Sequence, residues 1–256
     1  MGYQAIEVRK LTPTIGAEVF GVNIGQGLSN RQFNEIHDAL MENLVIFFRD
    51  QKMTPEQHKD FGLHFGKLHI HPNAPQLLSG NPEILVIKAD EKSKRVAGEE
   101  WHSDVSCDPA PPMGSILYMQ EVPVSGGGDT MFANMYAAYE SLSEPMKRLL
   151  GECTAIHDSA KAHSYRVQAA DRADMQFPRA EHPVVRTHPV TGRKLLFVNR
   201  GFTTRIPQLK RHESDAVLEM LYRHIETPEF HCRFKWQPNF LGQPGGPAPR
   251  RLGLLS

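Results

Sequence analysis

The most informative stretch of the sequence is Trp101-His102-Ser103-Asp104-Val105-Ser106-Cys107-Asp108, which is followed at once by Pro109-Ala110-Pro111-Pro112. If the stretch is an extended strand, its side chains alternate between two faces, so His102 and Asp104 share one face. An imidazole and a carboxylate on one face are two parts of the two-His-one-carboxylate triad that holds non-haem Fe(II). A His-x-Asp pair also occurs by chance, and the alternative is an exposed strand end or a local hydrogen-bonded pair.

Composition limits the classes of function. The 256 residues are enough for one large domain, and we expect a single one. Because 29 Lys and Arg balance 29 Asp and Glu, the charge gives no basis for binding nucleic acid or an anionic membrane. Neither a signal-peptide core nor an apolar run of ~18 residues is present, so we expect a cytoplasmic protein. With no charge imbalance, the expected partner is a small molecule, and a homo-oligomer is an open alternative. The cysteines match neither a disulfide framework nor a zinc finger and are expected to be buried free thiols: Cys107, Cys153 and Cys232.

Hydrophobic periodicity predicts many short strands interrupted by helices. Capping signals at Ser29 and Thr54 predict helices over 30–43 and from 54 to about 65, and Val45–Phe48 is predicted as a buried strand. Further strands are predicted at 6–11, 17–24, 83–88, 115–122, 131–133, 183–186, 195–198 and 230–236, and further helices at 135–141, 144–152 and 214–225. Because strands and helices do not alternate regularly, a β-sandwich or jelly roll with helical insertions is favoured over a doubly wound sheet.

Some segments between these elements bear on a candidate site. His71 stands beside a proline at a predicted strand end, where a polar side chain can face a cavity, whereas His69 is expected to be a surface histidine. The charged segment 90–100 precedes the His102 stretch and is expected to be a mobile lid. The run Gly126-Gly127-Gly128 predicts a tight turn or a close backbone approach, and no Gly-Lys-Ser/Thr follows it to make a phosphate loop.

Short motifs occur in a fixed order along most of the chain, at 14–18, 45–51, 65–72, 101–106, 127–130, 182–189, 197–206 and 236–239. In this order they resemble the taurine dioxygenase (TauD/TfdA) family of Fe(II)- and 2-oxoglutarate-dependent dioxygenases. An ordered set is more specific than any single motif, and the resemblance favours the metal interpretation of His102 and Asp104. It implies a mainly β fold with helical insertions, a double-stranded β-helix of the jelly-roll, cupin-like type.

The resemblance also implies roles for individual residues: His102 and Asp104 as two of three iron ligands, Thr130 at a 2-oxoglutarate carboxylate, His71 at the anionic group of the substrate, and Val105 in the pocket wall. The residues alone leave plain structural roles open for the last three. The implied cofactors are Fe(II), 2-oxoglutarate and O2, and the implied reaction is hydroxylation of a small anionic organic substrate with release of succinate and CO2.

The substrate is less closely defined by the resemblance. Taurine-binding members place a tyrosine and an asparagine around the amine, and the matching neighbourhoods here, Asn73-Ala74 and Gly98-Glu99, lack that pairing. We therefore expect a small organic acid, with a sulfonate as a candidate, rather than taurine itself. Two rival interpretations stay open: a catalytically inactive jelly-roll protein that binds small anions, and a zinc or manganese hydrolase that uses the same ligands.

The sequence departs from the family after Asn239. The family continues with a strand bearing Trp-Asp-Asn-Arg, then the distal iron-binding His and a 2-oxoglutarate-clamping Arg, whereas this chain reads Phe240-Leu241-Gly242-Gln243-Pro244-Gly245-Gly246-Pro247-Ala248-Pro249. One permitted set of codons for that stretch, read one base further on, encodes Ser-Trp-Asp-Asn-Arg-Ala-Ala-Gln-His, which indicates a frameshift.

This departure has consequences for fold and activity. We expect a family domain over 1–239 that is incomplete at its C-terminal side and lacks its last strands, followed by a disordered, non-family tail over 240–256. With two of three ligands the chain should bind Fe(II) weakly and be impaired as an enzyme. Spacing selects no substitute ligand among the remaining histidines, for which core or surface roles are expected: His157, His188, His224 and His231.

Overall fold

The structure is a computed structural model that describes residues 2–71, 77–88, 98–124, 126–163, 177–244 and 251–255. The chain divides into two compact units, where the sequence predicts a single domain. The first unit comprises Met1–Ser93, Pro112–Asn134 and His231–Ser256, and the second comprises Lys94–Pro111 and Met135–Phe230. Both units are assembled from separate segments, a division that local sequence patterns do not reveal.

Strands predominate and helices interrupt them, as the sequence predicts. The described strands are β1 (Glu7–Lys10), β2 (Ala17–Phe20), β3 (Val45–Phe48), β4 (Lys67–Leu68), β5 (Leu77–Leu78), β6 (Asn81–Leu85), β7 (Gly114–Met119), β8 (Thr130–Ala133), β9 (Thr154–Asp158), β10 (Arg179–Pro183), β11 (Val185–Thr187), β12 (Lys194–Leu196), β13 (Thr203–Arg205), β14 (His231–Phe234), β15 (Phe240–Pro244) and β16 (Arg251–Leu255). The described helices are α1 (Asn30–Asn43), α2 (Pro55–Leu63), α3 (Met135–Glu140), α4 (Glu144–Gly151), α5 (Ser159–His163) and α6 (Arg211–Ile225), with 3-10 turns at Ile24–Gln26 and Pro228–Phe230.

The first unit is built around a nine-stranded sheet, counted over the described residues. Its order is β1-β2-β3-β15-β7-β16-β6-β5, with β4 beside β16. Every residue of β3 is buried, and successive side chains pack on opposite faces because a strand alternates with a period of two. Ile46 and Phe48 join the apolar cluster that includes residues of α1 and α2. Phe47 joins the opposite cluster and stacks on Phe234 of β14, with 3.6 Å between ring centroids.

Local capping explains where the first two helices begin. Ser29 accepts a hydrogen bond from the backbone N–H of Gln32, whose side chain returns to the Ser29 backbone, and Thr54 and Gln57 repeat this capping box at α2. The predicted range of α1 and the predicted starts of both helices are confirmed. Helix α2 ends at Leu63, slightly before the predicted end.

The segment after Asn239 differs from the expected disordered tail. Strand β15 pairs antiparallel with both β3 and β7, and β16 runs parallel to β7, β6 and β4. Backbone pairing of this kind satisfies N–H and C=O groups of buried neighbouring strands whatever the side chains are. The expectation of missing last strands therefore does not describe residues 240–244 and 251–255.

The second unit contains smaller sheets. Strands β10, β9 and β13 form one of them, and β11 pairs with β12 as the predicted hairpin. Cys107, Cys153 and Cys232 are free and buried, as predicted. Within the residues that the structure describes, no helix is both long enough and apolar enough to cross a membrane.

Candidate functional site

The imidazole of His102 and the carboxylate of Asp104 face each other in the second unit. His102 Nε2 lies 3.3 Å from Asp104 Oδ1, and the two side chains are 35% and 36% exposed. On the other side of the ring, His102 Nδ1 lies 2.7 Å from the backbone oxygen of Glu100. Since a carbonyl oxygen only accepts hydrogen bonds, Nδ1 carries a proton, and Nε2 is the ring nitrogen that faces the Asp104 carboxylate.

This geometry fits two adjacent positions around a metal ion. Ligand atoms ~2.1 Å from an ion and at right angles to each other are separated by about 3 Å. The 3.3 Å between Nε2 and Oδ1 is close to that separation. Among the described residues, however, no group of three or more His, Cys, Asp and Glu side chains could hold a metal ion. The residues present thus fit two of the three expected protein ligands.

A turn, rather than an extended strand, brings these two ligands together. Residues 104–107 form the turn, with backbone hydrogen bonds from Ser106 to Ser103 and from Asp108 to Val105. The strand alternation that first paired His102 with Asp104 is therefore wrong for this stretch, although the two side chains do lie 3.3 Å apart. Val105 has a φ of 49°, a left-handed conformation that is uncommon for a β-branched residue.

Gly201 allows a second segment to approach His102 closely. The Gly201 N–H donates to the Trp101 carbonyl oxygen at 2.9 Å, and a Cβ at position 201 would lie only 3.1 Å from the His102 Cβ. A larger residue here would press on the candidate ligand. Sequence reasoning missed both Gly201 and Glu100. For Gly201, the presence of a glycine inside the 197–206 motif could have indicated a close backbone approach.

Thr130 lies in the first unit, at the start of β8. Its hydroxyl oxygen accepts a hydrogen bond of 2.8 Å from Trp236 Nε1, whose indole is buried. An indole N–H can only donate, so the Thr130 hydroxyl keeps its own hydrogen for another acceptor. Trp236 thus orients the Thr130 hydroxyl. The two residues are 106 positions apart, so the sequence does not indicate this contact.

His71 also belongs to the first unit and is half-buried. Its ring lies 6.4 Å from that of His69, centroid to centroid. His69 is 8% exposed, so the prediction of a surface histidine is wrong there. Leu68, the residue before His69, packs against the apolar cluster of the first unit, a contact that a short extended run in the sequence does not reveal.

Other predicted features have mixed outcomes. Residues 90–97 of the expected lid lie outside the described residues. Gly126 N–H donates to the Pro123 carbonyl oxygen and closes a turn at the start of the glycine run. Each of the three glycines has a positive φ, and no atom lies within 4 Å of a Cβ built at Gly126 or Gly127. A tight turn, rather than close backbone approach, is therefore confirmed. His157 and His188 are buried and hydrogen-bonded within the second unit.

Comparison with known proteins provides independent information. The model of the family described as "Taurine catabolism dioxygenase TauD, TfdA family" matches residues 7–241. An alpha-ketoglutarate-dependent sulfonate dioxygenase of Saccharomyces cerevisiae is 35% identical, over 91% of this chain and 59% of that protein. An alpha-ketoglutarate-dependent sulfate ester dioxygenase of Pseudomonas putida is 30% identical, over 91% of this chain and 78% of that protein.

A solved structure agrees with these sequence matches. The crystal structure of a taurine dioxygenase from Burkholderia xenovorans is similar with a TM-score of 0.79 and 33% sequence identity, covering 96% of this chain and 81% of that chain. The present chain spans 59% of the length of the Saccharomyces cerevisiae relative and 61% of the length of a similar protein of Schizosaccharomyces pombe.

Proposed function

The chain belongs to the TauD/TfdA family of dioxygenases, and from that premise we propose that it is an Fe(II)- and 2-oxoglutarate-dependent dioxygenase of small organic acids. The observation that carries the proposal is the His102–Asp104 pair, with Nε2 and Oδ1 3.3 Å apart and Nδ1 held by the Glu100 carbonyl. Likeness to the solved taurine dioxygenase supports a jelly-roll, double-stranded β-helix as the finer description of the mainly β fold.

The two candidate ligands would hold Fe(II) from one side. Bound Fe(II), with 2-oxoglutarate and O2, would supply the oxidising power for hydroxylation, one oxygen atom entering the substrate and the other entering succinate as CO2 leaves. The protein contributes placement: the Glu100 carbonyl oxygen accepts the Nδ1 hydrogen and orients the His102 ring, so that Nε2, beside the Asp104 carboxylate, is the nitrogen that would bind the metal. Val105, half-buried in the same turn, is proposed as a pocket-wall residue.

Two residues of the first unit receive proposed binding roles. Thr130 would donate its hydroxyl hydrogen to a 2-oxoglutarate carboxylate, since Trp236 already occupies one acceptor position on the same oxygen. His71, half-buried beside His69, would donate a ring N–H to the anionic group of the substrate. Each role fits a side chain that keeps some exposure to solvent.

A sulfonate is the proposed substrate class. The yeast relative is described as a sulfonate dioxygenase and the Pseudomonas relative as a sulfate ester dioxygenase, and both of these compound classes carry a sulfur oxyanion. Hydroxylation of the carbon that bears a sulfonate gives an unstable product that releases sulfite. The same names do not favour an inactive anion-binding protein or a metal-dependent hydrolase.

We also propose that the codons after Asn239 are read one base away from the family's frame. The family match ends at residue 241, and the amide of Gln243 is buried with no hydrogen-bond partner for either of its polar atoms among the described residues. Buried amides in native proteins are normally hydrogen-bonded, so this residue does not suit a buried strand. The nucleotide sequence across codons 236–256 tests this, and a shifted frame without Trp-Asp-Asn-Arg followed by a His would rule it out.

The activity test uses the present chain and a restored-frame version side by side. Each is reconstituted with Fe(II) without oxygen, then mixed with 2-oxoglutarate, O2 and taurine or a short alkanesulfonate, while succinate and sulfite are measured. We expect coupled formation of both products by the restored-frame protein and much less by the present chain, because two protein ligands hold the metal weakly.

Variants separate metal binding from general damage. His102→Ala and Asp104→Ala should abolish product formation in the restored-frame protein. His37→Ala is the matched control, because His37 is a partly exposed histidine whose Nδ1 lies 3.8 Å from the Asp38 carboxylate. Absence of coupled succinate and sulfite formation with every small anionic substrate, in a folded restored-frame protein, would overturn the proposed function.

A further inference from the structure

We propose that Ser106 is a positioning residue whose buried hydroxyl, held by His157 and Asn199, fixes the turn that brings Asp104 to His102. The inference rests on the proposed function only in taking His102 and Asp104 as metal ligands. Ser106 follows the candidate ligand by two residues and is 0% exposed. It cannot contact solvent, so its side chain acts inside the unit.

The Ser106 hydroxyl is held from two directions. Asn199 Nδ2 donates to Ser106 Oγ at 3.1 Å, and His157 Nδ1 lies 3.0 Å from the same oxygen. Since Asn199 supplies one hydrogen, the hydroxyl directs its own hydrogen to the ring nitrogen of His157, which accepts it. Both polar capacities of Ser106 are therefore used by residues far away in the sequence.

The backbone on either side of the turn is held as well. His182 Nε2 lies 3.0 Å from the Ser106 carbonyl oxygen and 3.1 Å from that of Asp108, so the ring N–H is shared by two acceptors. On the other side, Gly201 N–H donates to the Trp101 carbonyl oxygen. The side chain of Asn199 links the turn to the segment that contains Gly201, because its Nδ2 donates to Ser106 and its Oδ1 accepts the Phe202 N–H at 2.8 Å.

The turn needs such support because of Val105. A left-handed φ of 49° is unfavourable for a β-branched residue and persists where surrounding contacts enforce it. Ser106 is the adjacent residue, and its hydroxyl is the side-chain group of the turn with two buried partners. If the hydroxyl is removed, Val105 can relax to a right-handed conformation and the Asp104 carboxylate moves away from His102 Nε2.

The experiment compares Ser106→Ala with Ser214→Ala in the full chain. Ser214 is the matched control, since its hydroxyl is also buried in the second unit and accepts the Ile206 N–H at 2.9 Å. Two quantities are measured: amide hydrogen exchange at Ser106 and Asp108, and the dissociation constant for Mn(II) alone, by electron paramagnetic resonance of the free ion. Asn199→Ala serves as a second variant that leaves Ser106 in place.

We expect faster exchange at the two turn amides in Ser106→Ala and Asn199→Ala, and a Mn(II) affinity lower by about 10- to 100-fold. Ser214→Ala should change neither quantity. The double variant Ser106→Ala/Asn199→Ala should bind Mn(II) as tightly as whichever single variant binds it less tightly, because both substitutions remove the same contact. Exchange at the turn that is as slow in Ser106→Ala as in Ser214→Ala would overturn the inference. If the unmodified chain takes up no Mn(II), the proposed metal site fails, while the exchange data still decide whether Ser106 holds the turn.

Discussion

Thr130 illustrates how one side chain is prepared for a ligand by another. Its hydroxyl oxygen accepts the buried Trp236 indole N–H at 2.8 Å, which fixes the oxygen without consuming the hydroxyl hydrogen. A hydrogen bond from a fixed hydroxyl to a carboxylate is charge-assisted and stronger than one between neutral groups. The proposed contact with 2-oxoglutarate therefore depends on a donor that is already oriented.

The first prediction concerns this hydroxyl. Thr130→Val keeps the shape and removes the donor, so the affinity for 2-oxoglutarate should fall about tenfold or more, since hydrogen bonds to charged groups contribute about 1.5–3 kcal/mol. Thr130→Ser keeps the hydroxyl and should retain most of the affinity. Titration of the Fe(II)-loaded protein with 2-oxoglutarate, followed by tryptophan fluorescence, provides the measurement. Equal affinities of the Val and Ser variants would contradict the proposed contact.

At the scale of elements, strand β15 matches its place in the sheet only in part. Phe240 and Leu241 are buried in the two apolar clusters on opposite faces. Gly242 leaves room for the Trp236 ring, since a Cβ there would lie 2.4 Å from the ring edge. Gln243, by contrast, is 0% exposed, and no hydrogen-bond partner for its amide lies in the part of the chain that the structure describes. Backbone pairing and the first apolar residues thus stabilise the strand in the sheet, whereas the buried amide of Gln243 destabilises it.

The second prediction follows from the unpaired amide. Gln243→Leu should raise the free energy of unfolding by about 1–3 kcal/mol, because it removes the desolvation penalty of the amide. Gln51→Leu is the matched control: Gln51 is also buried in the first unit, but its Oε1 accepts the Ile24 N–H and its Nε2 donates to the Arg49 carbonyl oxygen. That variant should lower stability by a similar amount.

Urea unfolding of both variants gives the two free energies. Opposite signs are expected for Gln243→Leu and Gln51→Leu. If both variants lose stability equally, the Gln243 amide has partners in solution, and the argument for a strand with an ill-suited sequence fails.

For the whole molecule, each compact unit contains a histidine that burial keeps neutral. Burial lowers the pKa of His58 in the first unit to about 4 and that of His157 in the second unit to about 3. In the unfolded chain both rings titrate near the ordinary histidine value of about 6.5. The unfolded state therefore binds more protons than the folded state between these values, and acid favours unfolding.

The third prediction is a loss of stability as the pH falls below about 6.5. Each of the two histidines should lower the free energy of unfolding by up to about 1.4 kcal/mol per pH unit until the pH reaches its folded pKa. His58→Gln removes one titrating ring, so its slope between pH 6 and 5 should be smaller by about that amount. Urea unfolding at pH 8, 7, 6 and 5 measures the slopes, and those of the two proteins should coincide between pH 8 and 7. An unchanged acid slope in His58→Gln would show that His58 is accessible to protons in the folded state.

Features that depend on residues close together in the chain were predictable from the sequence. The capping boxes at Ser29 and Thr54 join residues three positions apart, and the buried run of β3 is apolar at every position, so both predictions were confirmed. The His102–Asp104 pair was also predictable, because two residues that close in the chain can meet in a turn as well as on one face of a strand. The order of short motifs was enough to identify the family.

Contacts between distant parts of the chain became known only from the three-dimensional structure. Ser106 meets His157 and Asn199 across 51 and 93 residues, and Thr130 meets Trp236 across 106. The place of β15 between β3 and β7 and the division into two discontinuous units are of the same kind. Hydrophobic periodicity reports which face of a segment is buried, but it carries no information about which partner buries it, since many partners offer the same apolar area and the same backbone hydrogen bonds.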